Sequence, residues 1–371
     1  MSCTRREFIK TATSAGAMFG AAGAPGLDVV QSGRSIPVPT QRAKDLMKLF
    51  SLRYPIFEAP HGPATCPELA TAVSNAGAMG ALADLRTPET ARNAVTKVRS
   101  ATKGNFVVNF ILQLTTNLTS LQAALDSGAP IVQFSWGVPT REMISAIRAA
   151  NAKLGMQITS AESARVALDL GADYLVCQGT EAGGHVQATR GLYEALPIVL
   201  EEAKQKPVIA AGGIGNGEGI RKALLAGASA AALGTRFVAT VESNAHPDYK
   251  RAILAAYAKD TALTICFQDG WPAMHRALRN RTFLLWDAAG CPSPGKRPGE
   301  GDVVATSSDG TKLLRYRGRM PSREFEGAVT ECPLWAGMGV NFIRDLPSAG
   351  ELIERLWREC QTSPASADSA R

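Results

Sequence analysis

The run Leu175-Val176-Cys177-Gln178-Gly179-Thr180-Glu181-Ala182-Gly183-Gly184-His185 holds the parts of a reaction centre in order. Its apolar start suits one buried strand. Its glycines let backbone approach a ligand closely and accept positive φ. It ends on His185, one of four histidines in the chain, a side chain that gives or takes a proton near neutral pH. Two further loops carry different chemistry. Ala211-Gly212-Gly213-Ile214-Gly215-Asn216-Gly217 brings backbone N–H groups to a helix start, which is a natural anion site. Gly234-Thr235-Arg236-Phe237 adds a hydroxyl and a guanidinium able to pair with a phosphate. Together they suggest a phosphorylated cofactor lying across the site. No GxGxxG follows a first strand, and no lysine stands at a strand end to form a Schiff base. These absences argue against a Rossmann dinucleotide domain and against pyridoxal phosphate or aldolase chemistry.

The elements that must position these loops follow from an internal echo. Gly77-Ala78, Gly128-Ala129, Gly171-Ala172 and Gly227-Ala228 each close a helical pattern and open an apolar run. Glycine there suits the left-handed residue that ends a helix. A second strand and helix fit inside each interval. The strands predicted are Tyr54–Glu58, Met79–Leu82, Asn105–Phe110, Pro130–Phe134, Leu154–Ile158, Asp173–Val176, Pro207–Ala211 and Ser229–Leu233. Helices fall between them over Pro67–Asn75, Pro88–Thr102, Leu118–Ser127, Thr140–Asn151, Ala161–Leu170, Leu192–Lys206 and Glu218–Ala226, with Thr159 and Glu162 spaced as a capping box. Eight strands alternating with helices indicate an α/β TIM barrel, with a doubly wound sheet as runner-up. In such a barrel ligands sit at the carboxyl ends of the strands, and phosphate sits after the seventh and eighth, where the two glycine loops fall.

The 371 residues are 45% hydrophobic and 20% charged, which suits one large domain or two ordinary ones. The net charge of +7 is spread along the chain without a Lys/Arg run or aromatic interleaving. That excludes a nucleic-acid groove and leaves a mildly basic exterior. None of the seven cysteines makes a CxxC pair or a metal-ligand spacing, so no metal is expected. Cys291 and Cys332, both in loop-like sequence, can pair in an oxidising compartment. Thr4-Arg5-Arg6-Glu7-Phe8-Ile9-Lys10 resembles the twin-arginine export signal, and the weakly apolar stretch after it is too short for a stable membrane span. The order read is a signal over residues 1–24, a linker over 25–45, a barrel over 46–242, a cap over 243–335, a C-terminal return over 336–360 and a disordered tail over 361–371. Twin-arginine machinery is the partner this leader implies, with a periplasmic destination; oligomeric state is open.

The chain resembles the nitronate monooxygenase family. Pro55-Ile56-Phe57-Glu58-Ala59-Pro60 with Pro67 to Gly77, Gln178 to His185, Pro207 to Ile214, and Leu233 to Phe237 carry the likeness, densely over residues 52–243. The resemblance implies non-covalent FMN in a TIM barrel. It implies that Asn109 and Gln178 contact the flavin, and that Gly183, Gly184, Gly212, Gly213, Gly234, Thr235 and Arg236 hold its ribityl phosphate end. His185 matches the family's active-site histidine. The implied reaction oxidises alkyl nitronates, and nitroalkanes, with O2 to a carbonyl compound and nitrite. Pro60-His61-Gly62-Pro63 departs from the family's Met-Gly-Gly and makes His61 a rival catalytic base. The same scaffold resembles flavin-dependent NAD(P)H:quinone and enoyl-thioester reductases, and a catalytically inactive flavin-binding protein is the non-enzyme alternative.

Overall fold

A computed structural model describes residues 38–114, 118–268 and 271–362. The stretch read as an export signal and the tail beyond Thr362 lie outside the described residues. Eight parallel strands form the centre: β1 (Ile56–Glu58), β2 (Gly80–Leu82), β3 (Phe106–Ile111), β4 (Ile131–Ser135), β5 (Lys153–Ile158), β6 (Tyr174–Gln178), β8 (Val208–Ala211) and β9 (Ala230–Leu233). A two-residue strand, β7 (Gly184–His185), leaves the barrel between β6 and β8. The order β1-β9-β8-β6-β5-β4-β3-β2 is parallel throughout, and the Phe57–Met79 bridge joins its two edges into a barrel. The predicted strands recur with ends shifted by one or two residues.

Helices α2 (Pro67–Asn75), α3 (Pro88–Ala101), α4 (Leu118–Asp126), α5 (Arg141–Ala149), α6 (Ala161–Asp169), α7 (Leu192–Ala203) and α8 (Gly217–Leu225) fill the intervals between strands. The four echo glycines all have positive φ, from 81° at Gly171 to 99° at Gly227, as left-handed helix ends require. Thr87, Thr140, Ser160 and Asn216 cap helices by accepting from a backbone N–H two or three residues into each. The capping box of α6 is made by Ser160 and Ser163, one residue beyond the Thr159–Glu162 spacing.

Helix α1 (Gln41–Leu49) begins inside the stretch read as linker. Its Leu46 joins Phe50 against the barrel interior, where Phe50 meets Tyr174 edge-on at 5.5 Å and Phe57 at 6.4 Å. These rings plug the amino end of the barrel. Buried side chains of such packed clusters stabilise by roughly 1.5–3 kcal/mol each. The opposite end stays available for ligands.

After β9 come α9 (Thr235–Val238) and α10 (Pro247–Ala255), then β10 (Thr261–Thr264), β11 (His275–Leu278), α11 (Arg281–Ala288), β12 (Val303–Ser307), β13 (Lys312–Leu314), β14 (Phe325–Gly327) and α12 (Ala349–Thr362). The irregular stretch therefore contains two small sheets, β10-β11-β7 and β13-β12-β14, and has its own apolar cluster around Tyr249, Phe267, Trp286 and Trp335. Its link to the barrel is direct, because β11 pairs antiparallel with β7. Helix α12 returns to the barrel wall: Glu359 accepts from Gly217 N at 2.9 Å, and Arg221 donates to Cys360 O at 3.2 Å. Cys332 is a buried free thiol, so the considered Cys291–Cys332 bridge is not formed. No helix among the described residues is long and apolar enough to cross a membrane.

Candidate active site

The loop after β6 is fixed before its histidine is reached. Gln178 closes the strand with a side chain that accepts from Gln187 N at 2.8 Å and donates to His185 O at 3.3 Å. Both ends of the amide thus hold the turn, which makes Gln178 a positioning residue for His185. Arg276 donates to Thr180 O, and Met338 N donates to Glu181 O, so cap and return segment clamp the same loop. Gly183 allows this approach: a Cβ there would lie 2.4 Å from Gly337 N. Gly184 sits at φ 70°.

His185 stands among aromatic rings. It stacks on Trp271 with centroids 4.3 Å apart and planes 9° apart. Trp136, Trp335 and His275 lie at 6.3, 5.4 and 5.5 Å. Burial alone lowers its pKa to about 4, so the ring is neutral at pH 7. Neither of its nitrogens is hydrogen-bonded among the described residues, and neither is sealed from solvent.

The other histidines differ. His275 is fully buried, with Nε2 accepting from Phe267 N and Nδ1 facing Ala273 O. His246 accepts from Asp248 N at the start of α10. His61 turns both nitrogens inward. Its Nδ1 meets Thr65 Oγ1, and its sealed Nε2 faces Glu58 Oε1 at 4.0 Å. Burial raises the Glu58 carboxyl well above its usual value and lowers His61 to about 3, so both are pushed toward their uncharged forms. His61 is the rival base by sequence; its Nδ1 is held by Thr65, and its Nε2, though unpartnered, is sealed from solvent.

The glycine loops end β8 and β9 side by side. Gly212 and Gly213 have φ of 135° and 68°. The backbone N–H groups of Gly212, Gly213, Gly234, Thr235 and Arg236 donate to no acceptor among the described residues. This converging donor set fits a phosphate. The Thr235 hydroxyl accepts from Gly337 N at 3.0 Å. The Arg236 side chain has partners within the fold. Its guanidinium, 2% exposed, donates to Asp345 Oδ1 at 3.1 Å, Asp345 O at 2.8 Å and Ala239 O at 2.9 Å. Its two terminal nitrogens anchor the return segment, while its buried Nε has no partner among the described residues. Asn109, 3% exposed, sits inside the barrel with Gln133 and Ser135, and Gln133 also accepts from Tyr174 Oη.

Sequence reading missed Trp136, Trp271 and Glu58. Trp136 and Glu58 stood at ends of predicted strands, a position that itself marks a ligand-facing residue in a barrel. Trp271 lay in irregular sequence whose folding back no local pattern signals. A cavity of about 480 Å³ in the cap lies apart from these residues; its Arg297 and Arg315 already pair with Glu300 and Glu331.

Comparison with known proteins agrees with this geometry. A family model described as nitronate monooxygenase matches residues 43–120 and 116–359. The chain is 32% identical to a nitronate monooxygenase of Pseudomonas aeruginosa over 362 residues, covering 84% of this chain and 97% of that one. It is 29% identical to a nitronate monooxygenase of Paraburkholderia phytofirmans, covering 86% and 95%. Among solved structures it is similar to FabK from Thermotoga maritima, with a TM-score of 0.73 and 27% identity over 85% of this chain and 95% of that one. It is also similar to a nitroalkane oxidase from Streptomyces ansochromogenes, with a TM-score of 0.66 and 29% identity over 85% and 97%.

The anchoring assignment of Arg236 has a measurable consequence. Arg236→Ala removes buried charge-assisted hydrogen bonds and is expected to lower unfolding free energy by about 1.5–3 kcal/mol. Chemical denaturation of the variant checks this, and undiminished stability would refute the anchor.

Proposed function

The chain belongs to the nitronate monooxygenase family, and from that premise we propose that it is an FMN-dependent oxidoreductase acting on alkyl nitronates, and on the nitroalkanes that give rise to them, with O2 as oxidant and a carbonyl compound and nitrite as products. One observation carries the reading: His185, alone among the described histidines in having both ring nitrogens unbonded, stands at the loop that follows a barrel strand. The donor set after β8 and β9 supports a phosphate-bearing cofactor, with Gly212, Gly213, Gly234, Thr235 and Arg236 holding it through backbone N–H groups. FMN, when bound, supplies the electron transfer that no protein side chain performs.

The protein's own part is proton handling and placement. A neutral nitroalkane must lose its α-proton, and neutral His185 has a lone pair to accept it. A preformed nitronate has already lost that proton, and to it the same ring donates a hydrogen bond. Gln178 keeps the ring in place through the backbone on either side. Stacking on Trp271 restricts the ring's rotation and excludes water from one face.

A second reading, an NAD(P)H-dependent reductase, draws on the likeness to FabK. Anaerobic mixing of purified flavoprotein with propyl-1-nitronate, NADH and NADPH in parallel separates the two. Bleaching by the nitronate is expected; bleaching by a nicotinamide alone would replace the nitronate reading. Export in folded form is a further part of the proposal, supported by the leader motif. Changing Arg5 and Arg6 to Lys is expected to retain the protein in the cytoplasm, and unaltered fractionation would remove that part.

His185→Asn is expected to lose roughly 10²–10⁴-fold on neutral nitroalkane, the scale of general-base catalysis, and less on nitronate. Its flavin content is expected to stay near normal. Because the base is neutral above its lowered pKa, kcat/KM on nitroalkane should fall on the acid side near pH 4, well below the usual histidine value. Equal losses on both substrate forms, or a selective nitroalkane loss in His61→Asn, would take the base role from His185.

A further inference from the structure

We propose, resting on the reading that His185 meets the nitro-bearing carbon, that the favoured substrate carries an aryl or extended apolar group close to that carbon, and that Trp136 is the residue that selects it.

Three rings meet at this point of the mouth. His185 and Trp271 are stacked at 4.3 Å, Trp271 and Trp136 stand at 4.5 Å and 82°, and Trp136 and His185 at 6.3 Å and 90°. These lengths form a nearly right-angled triangle with its corner at Trp271. Trp136 therefore stands beside the stacked pair, as a second wall meeting it at a right angle. A substrate atom within about 3 Å of a His185 nitrogen lies next to this corner, and an aryl or extended carbon skeleton attached to it can run along indole.

The corner is partly open. Trp335 and Trp286 are buried at 8% and 2% exposure, as packing tryptophans are. Trp136 and Trp271 remain half-buried, so part of each indole faces the mouth. Backbone conformation points the same way. Trp136 has φ 61°, a left-handed value that is an outlier for a bulky side chain. Residues kept in such conformations concentrate at ligand sites.

Among the described residues, no charged side chain pairs with His185, and burial is the cause of its lowered pKa. The nearby Arg276 is turned to Thr180 O and Thr261. Polar or charged substituents on the substrate would lose hydration here without a partner. An aromatic ring or alkyl chain would exchange water for indole, with the edge-to-face contacts that aromatic pairs prefer.

The test compares kcat/KM for 2-phenyl-1-nitroethane and nitroethane on the flavin-loaded enzyme, and reads their ratio. The ratio is expected to exceed about tenfold in the wild type. Trp136→Asn, which tolerates the left-handed backbone, is expected to lower the ratio about tenfold, and Trp136→Phe to restore most of it. A second arm titrates 3-phenylpropanoate and propanoate, unreactive carboxylates with two oxygens placed like those of a nitronate, and follows tryptophan fluorescence. It reads selectivity without turnover. If neither nitro compound reacts, the proposed reaction fails, while tighter binding of 3-phenylpropanoate, weakened in Trp136→Asn, still upholds the aromatic corner. A wild-type ratio near one, a ratio unmoved by Trp136→Asn, or equal binding of the two carboxylates would overturn the proposal.

Discussion

The pairing of Gly184 and His185 with His275 and Arg276 is the join on which the mouth of this barrel depends. A two-residue strand is too short to be stable alone; three or more strands or a packed face are needed. It holds because β10 and β11 complete a sheet with it, and because Gln178 bonds its backbone from the barrel side. The join does two things at once. It seats the cap on the barrel, and it sets the position of the histidine that the chemistry requires. A loop that carried His185 without this pairing would present the ring on a mobile tip. Here the ring direction follows from strand alternation, and Arg276 reaches past it to hold Thr180 O.

Burial without charge is the second constraint. His185 is desolvated and has no counter-ion among the described residues, so it rests as a neutral imidazole. Proton transfer from a neutral nitro compound creates an imidazolium and a nitronate together. The product ion pair supplies the partner that the resting site lacks, in surroundings where opposite charges attract more strongly than in water. The Trp271 face, 4.3 Å away, adds a cation–π contact that only the protonated ring gains. A site built this way favours the charged state only once substrate has delivered the charge. His61 shows the contrast: it is also desolvated, but its Nδ1 is held by Thr65 and its Nε2 is sealed from solvent.

The barrel was legible in the sequence because its signals are local. Each Gly-Ala echo reports a helix end and the strand after it, and the four glycines do adopt the left-handed conformation. His185 and the two glycine loops were legible for the same reason, since strand, turn and glycine are adjacent in the chain. The cap was not. Its strands are short, and β11 pairs with a strand some ninety residues earlier, a contact that no periodicity announces. Trp271 reaches the site through that pairing, so its role depends on tertiary structure. Helix α1 was hidden for another reason: two prolines just before it, Pro37 and Pro39, read as linker, while its plug residues Leu46 and Phe50 gain meaning only from the barrel above them.

Arg236 shows how a motif residue can also serve the fold around it. An arginine in a glycine loop at the end of the eighth barrel strand invites pairing with phosphate. Yet the return segment brings Asp345 to the same point, and a bonded guanidinium with 2% exposure is a joint in the fold. Peptide N–H groups there carry no formal charge, and strand ends β8 and β9 bring them side by side. A donor set of this kind depends on the barrel's strand order. The side chain that the motif displays also closes the C-terminal segment over these loops, where Gly337 N reaches the Thr235 hydroxyl, and it keeps one unpartnered donor, Nε.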